Sequence, residues 1–104
     1  GAQLDITLSC SYHNVVRIEL DPVKDATNRQ KHGASLAVAG ELDWEAALVW
    51  VDDRLEYGET RMIALAPKKA ILYYAAFVDR GNVRRIISLR RANRREVKYY
   101  VENV

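Results

Sequence analysis

The sequence predicts an α+β domain with two N-terminal helices, an antiparallel sheet of three or four strands and a C-terminal helix. Three observations carry that expectation. Asp21-Pro22 opens and Gly33 closes a polar segment, as an N-cap, a first-turn proline and a left-handed C-cap do for a helix. Between Ala46 and Leu89, apolar or alternating runs are separated by turn residues, the signature of consecutive strands. Asn93 and Glu96 stand three apart ahead of Val97, Tyr100, Val101 and Val104, which pairs a capping box with an apolar helical stripe.

Taken in order, Val15 to Leu20 is a short strand and VKDATNRQKH forms helix 1, with Lys31 and His32 in the last turn, where the helix dipole favours cations. Ser35 caps LAVAGELDW, a second short helix with Leu36, Ala39 and Leu42 on one face, although Gly40 weakens it. Ala46 to Val51 and Thr60 to Ala66 are the next strands, joined by the polar DDRLEYGE segment, and PKKA turns the chain into Ala70 to Val78. That stretch is apolar on both parities and so is expected at the centre of the sheet. DRGN then turns into Val83 to Leu89. The helices are expected to cover one sheet face and to leave the other partly open. The C-terminal apolar stripe is expected to dock on the sheet.

At 104 residues the chain is expected to form one domain over residues 15–104. Gly1 in place of methionine suggests a trimmed or incomplete start, and residues 1–14 are read as an extension or an extra strand without functional weight. Cys10 is the sole cysteine, which excludes an intrachain disulfide and a thiolate metal cluster. His13 and His32 flank no ligand-like spacing, so neither a metal nor another cofactor is expected. No apolar run approaches the roughly 18 residues of a membrane span, and the expected location is the cytoplasm.

Charge is distributed unevenly. From Arg80 to Val104, seven arginines and one lysine face only Glu96 and Glu102, a segment of +6 on a chain of +2, which leaves residues 1–79 at −4. Clustered cations concentrate phosphates and release their counterions, so the expected partner is a polyanion, with nucleic acid the simplest choice.

Three segments carry a family resemblance: DPVKDATNRQKHGAS at 21–35, YGETR at 57–61 and RIISLRRANRREVKYY at 85–100. In this order and spacing the chain resembles the BrnT family of type II toxin–antitoxin systems from about Leu20 to Tyr100. The resemblance implies a RelE-like ribonuclease fold and inhibition of translation by RNA cleavage. It also implies neutralisation in a hetero-oligomer with a cognate antitoxin that binds DNA and represses the operon.

RNA cleavage without a metal uses the substrate's 2′-OH as nucleophile and needs help with its proton, with charge on the pentacoordinate phosphate and with the departing oxygen. Arginine suits the second task because its planar fork stays protonated and grips phosphate oxygens in pairs. Arg61 and Arg85 are the first candidates, each an arginine within a strand rich in apolar residues, Arg61 sharing parity with Ile63 and Leu65 and Arg85 with Ile87 and Leu89. If the strands pair regularly, the two guanidinium groups converge on one sheet face; the alternative is two solvated charges at strand ends. Glu59 serves either as general base or as a salt-bridge partner that fixes Arg61, with the bridge favoured because an adjacent arginine makes a carboxylate a weaker base. His32 is a proton-transfer candidate, since imidazole titrates near neutrality, or a helix cap, and Lys31 binds phosphate or stands as a surface lysine. Arg90, Arg91, Arg94, Arg95 and Lys98 form an electrostatic track for RNA, free or on the ribosome, or a merely solvated face. Tyr100 stacks on a base or anchors the last helix. The same residues thus fit an endoribonuclease or a non-catalytic RNA- or protein-binding module of the same descent.

Overall fold

The computed structural model describes residues 17–54, 56 and 58–104. They form a mixed five-stranded sheet with strand order β1-β5-β4-β3-β2. The strands are β1 (Arg17–Leu20), β2 (Leu48–Val51), β3 (Met62–Lys68), β4 (Ile71–Arg80) and β5 (Val83–Arg91), with helices α1 (Pro22–His32) and α2 (Arg94–Asn103). Two 3-10 segments, Leu36–Glu41 and Trp44–Ala46, link α1 to β2. No helix among the described residues is long and apolar enough to cross a membrane. The expected residues 1–14 and the first two residues of the N-terminal strand lie outside the described residues.

The expectation of three or four antiparallel strands is corrected in two ways. The sheet has five strands, and β1 joins it in parallel to β5, with Arg17 opposite Val83 and Leu20 opposite Ile86. Nothing local in a four-residue strand announces a partner more than sixty positions away. The remaining pairs are antiparallel: β2 with β3, β3 with β4 and β4 with β5.

The second expected helix is also corrected. Residues 36–41 wind as a 3-10 segment, with Leu36 and Ala39 fully buried. Leu36, Ala39 and Leu42 repeat every three residues, which suits the three-residue turn of a 3-10 helix better than 3.6. Ser35 caps it, its hydroxyl accepting from the Ala37 N–H. Asp25 of α1 accepts from the Leu36 N–H at 2.7 Å and from the Ser35 hydroxyl at 3.0 Å, binding the segment to the helix. The Leu36 N–H is the main cause of a lowered Asp25 pKa.

Helix α1 itself matches its sequence signals. Asp21 accepts from the Val23 N–H at 2.8 Å, Pro22 opens the helix, and Gly33 takes a left-handed φ of 71° while its N–H donates to the Arg29 carbonyl. Pro67 does not turn the chain but sits within β3, opposite Leu72. The β2–β3 ladder ends at Leu48 opposite Leu65, so Pro67 lies beyond the reach of β2 and its missing N–H breaks no ladder bond. The turn falls at Lys69, with φ 56°.

One sheet face carries Ala64, Ala66, Tyr73, Ala75, Phe77, Ile86 and Leu89 against Leu36, Ala39 and Leu42. Phe77 has no solvent exposure, and burying such a side chain contributes about 1.5–3 kcal/mol. Trp44 meets Phe77 edge to face at 5.4 Å and donates its indole N–H to the Ala39 carbonyl. The second face, expected to be partly open, has Ile63, Leu65, Ala76 and Val78 buried while Trp50 stays 38% exposed, and α2 reaches part of it, joined through Glu96 to Arg90 and through Tyr99 to Trp50.

Helix α2 has the predicted capping box, with Asn93 and Glu96 accepting each other's backbone N–H. Its valine stripe, however, does not dock: Val97, Val101 and Val104 are 41%, 68% and 70% exposed. The helix is held instead by the Tyr100 hydroxyl, which donates to the Ala46 carbonyl at 2.6 Å, and by the Glu96 carboxylate.

Candidate nucleic-acid interface

Strand pairing fixes which arginines share a face. Val78 stands opposite Arg85 on β5, and Met62 stands opposite Phe77. One step before Met62, Arg61 continues the β2–β3 ladder, its carbonyl accepting from the Asp52 N–H at 2.7 Å; the β3–β4 register, carried on by the same step, sets it across from Val78. Directly opposed residues point to the same side of a sheet, so Arg61, Val78 and Arg85 form one row on the second face. Arg80, two residues beyond Val78 on β4, shares that side.

Glu59 lies among these cations. Arg80 grips its carboxylate with the Nη2 donor at 2.9 Å and Nε at 3.2 Å. The Arg80 hydrogen bonds, opposed by partial desolvation and reinforced by the charges of Arg80, Arg85 and Arg61, hold the Glu59 pKa below the ordinary value. The salt bridge expected between Glu59 and Arg61 is made instead by Arg80, which the sequence marks only as one charge of the C-terminal set. Its parity with Val78, the partner of Arg85, was the available signal. Arg85 donates to Glu19 at 2.7 Å and lies 3.7 Å from the Asp21 carboxylate. Arg61 is half-buried, its Nε out of contact with solvent.

The parity assigned to Arg85 needs correction. Ala76 pairs with Ser88 but Phe77 pairs with Ile86, so Ile87 is an extra residue, a β-bulge. Arg85 consequently faces opposite to Leu89, which packs in the core. Its neighbour Arg84 goes to the core side, lying 4.6 Å from the Trp44 ring centroid and 4.3 Å from that of Phe77 while it donates to Asp79.

Lys31 and His32 stand apart from the cluster. Arg85 meets α1 at Asp21, its N-cap, whereas His32 ends the helix; at 1.5 Å per residue the two ends are roughly 16 Å apart. Both line a groove between α1 and β5. The remaining cations divide into two sets. Arg90 is engaged by Glu96 through two bonds of 2.8 and 2.9 Å and stacks on Tyr74 at 4.0 Å. Burial raises the Glu96 pKa, but the Arg90 fork and the Asn93 N–H outweigh it and the net shift is downward. Arg91, Arg94, Arg95 and Lys98 are exposed. Tyr100, its hydroxyl committed to Ala46, holds the anchoring position.

A mixed α+β sheet with convergent arginines on one face defines a domain suited to binding a phosphate backbone. Comparison with known families narrows the class: residues 20–96 match the family described as ribonuclease toxin, BrnT, of type II toxin–antitoxin system, and the chain belongs to that family. No curated protein matches the chain.

Proposed function

We propose that this ribonuclease toxin inhibits translation by cleaving RNA through attack of the substrate's own 2′-OH, with no metal ion taking part. The observation that carries the reading is the gathering of Arg61, Arg80 and Arg85 around the Glu59 carboxylate. In the proposed step Glu59 accepts the 2′-OH proton, the 2′-oxygen bonds to phosphorus, and the bond from phosphorus to the 5′-oxygen breaks. The departing oxygen takes its proton from water. The products are a 2′,3′-cyclic phosphate and a free 5′-OH. Arg61 and Arg85 hold the non-bridging oxygens as charge builds on them. Arg80 positions Glu59 and keeps it ionised, which costs basicity but secures the deprotonated form at neutral pH.

The partners that follow are RNA, free or on the ribosome, and a cognate DNA-binding antitoxin in a toxin–antitoxin hetero-oligomer in the cytoplasm. Incubation of purified protein with total RNA and defined oligonucleotides, with chelator present and analysis of the end groups, tests the chemistry. Cyclic phosphate and 5′-OH ends are expected; 5′-phosphate ends, or activity abolished by the chelator, would overturn it. A second reading, an RNA-binding module without catalysis, is favoured by the carboxylates that already engage Arg80 and Arg85, because phosphate must displace them. It predicts RNA retention without cleavage.

The Glu59 assignment also predicts a pH dependence. The base works only when ionised, so kcat/KM falls as pH drops through its folded-state pKa, which lies below the ordinary carboxylate value of about 4.3. Arg80→Ala removes the largest cause of that lowering, and the acid limb of the profile is expected to move to higher pH. An unmoved limb would show that another group titrates there.

A further inference from the structure

We infer that the groove between α1 and β5 is a second phosphate subsite, which holds the RNA backbone beside the scissile phosphate. The inference deepens the proposed ribonuclease reading and rests on its choice of RNA as ligand. The groove encloses about 190 Å3 and is lined by Lys24, Thr27, Lys31, His32, Ile87 and Ser88, among others. Lys24, Thr27 and Lys31 recur at helical spacing on the side of α1 that meets β5, and Asn28 in the same row fixes the helix to the strand.

The contrast with the arginine cluster carries the argument. Arg80, Arg84, Arg85 and Arg90 each have a carboxylate partner. Among the described residues, no ion pair or hydrogen bond engages the side chains of Lys24, Lys31, His32 or Ser88. Two ammonium groups and a hydroxyl thus line one small groove, with no carboxylate among the described residues paired to them. Thr27 does not join them, because its hydroxyl donates to the Val23 carbonyl.

The bulge explains how β5 supplies both sites. In a regular strand Ile87 and Ser88 point to opposite faces; with Ile87 as the extra residue, both line the groove. Arg85 precedes Ile87 by two positions, roughly 7 Å along the strand. That places the groove beside the arginine row rather than within it, a separation suited to a neighbouring phosphate of the same strand. Lysine fits this task, since a hydrated ammonium on a flexible stem holds phosphate as a point charge without demanding fixed geometry.

The test is affinity for a non-cleavable 2′-O-methyl oligonucleotide measured over a range of salt concentrations, with cleavage kinetics in parallel. Lys24→Gln is expected to weaken binding several-fold and to reduce the slope of log K against log salt by about 0.7, the contribution of one phosphate contact on a single strand. Ser88→Ala should raise KM with kcat unchanged, and Lys24→Arg should restore binding. Lys69→Gln, at the β3–β4 turn, is the control. If Lys24→Gln and Ser88→Ala bind like wild type with an unchanged salt slope, the subsite is overturned whatever the cleavage result. If wild type cleaves nothing while Lys24→Gln still lowers affinity and slope, the groove stands and the catalytic reading falls.

Discussion

Arg85→Ala is expected to lower kcat for RNA cleavage by about 10²- to 10³-fold, the usual loss when one preorganised donor to a transition-state oxyanion is removed. Its effect on folding should be small. The Arg85 side chain is 30% exposed and its partner Glu19 48% exposed, and such surface pairs contribute about 0–1 kcal/mol. Arg84→Ala is the matched comparison from the adjacent position. Arg84 lies on the other face beside the Trp44 and Phe77 rings, so its loss should reduce stability and leave kcat near wild type. Single-turnover cleavage and thermal unfolding of both variants separate the two effects. Equal kcat in Arg85→Ala and wild type would remove Arg85 from the chemistry.

Asn28→Ala is expected to cause the largest loss of stability, about 2–4 kcal/mol, because it leaves buried backbone groups without partners. Asn28 is 4% exposed. Its amide donates to the Leu89 carbonyl at 2.6 Å and to the Ala34 carbonyl at 2.8 Å, and its oxygen accepts from the Leu89 N–H at 3.1 Å. One side chain thus satisfies both backbone groups of Leu89, as a neighbouring strand would. For a domain of this size the loss corresponds to a fall in Tm of roughly 10–25 °C. Asn28→Asp tests the same contact differently, since a carboxylate replaces two donors with acceptors facing carbonyl oxygens. A fall of less than about 5 °C for Asn28→Ala would show that water or a shifted helix replaces these bonds.

The features most legible in the sequence were those written in neighbouring residues. Asp21, Pro22 and Gly33 define α1 because caps act within one turn, and Asn93 with Glu96 defines the start of α2 for the same reason. The antiparallel order of β3 to β5 follows from two-residue turns, whereas β2 reaches β3 through the longer polar segment at 52–61. The parallel β1–β5 pairing was not legible, since it depends on contacts between the two ends of the domain. The spacing of Leu36, Ala39 and Leu42 fits one face of either helix type over so short a run, and tertiary contacts to Asp25 decided it. In α2 apolar periodicity misidentified the docking face, because Tyr100 and Glu96 fix the helix by polar bonds.

The candidate site was legible in residue type more than in placement. Arg61 and Arg85 stand out as arginines within strands rich in apolar residues, and the register of β3, β4 and β5, continued one step past Met62, sets them in one row. The parity used for Arg85 failed at Ile87, where an unpaired residue resets the alternation. Arg80 was overlooked because it sits at a strand end in a segment dense with arginine, and only the folded chain brings it to Glu59. Asn28 had no sequence signal beyond a polar residue in a polar helix.

The irregularity at Ile87 separates the bend of β5 from the order of its faces. Ser88 and Ile86 already stand opposite Ala76 and Phe77, consecutive residues of β4, so deleting Ile87 would leave both halves of the strand in register. Leu89 would stay inside, Arg85 outside and Arg84 beside Trp44. A one-residue omission would thereby straighten the strand at the α1 groove without exchanging the two arginines or altering any charge in the chain.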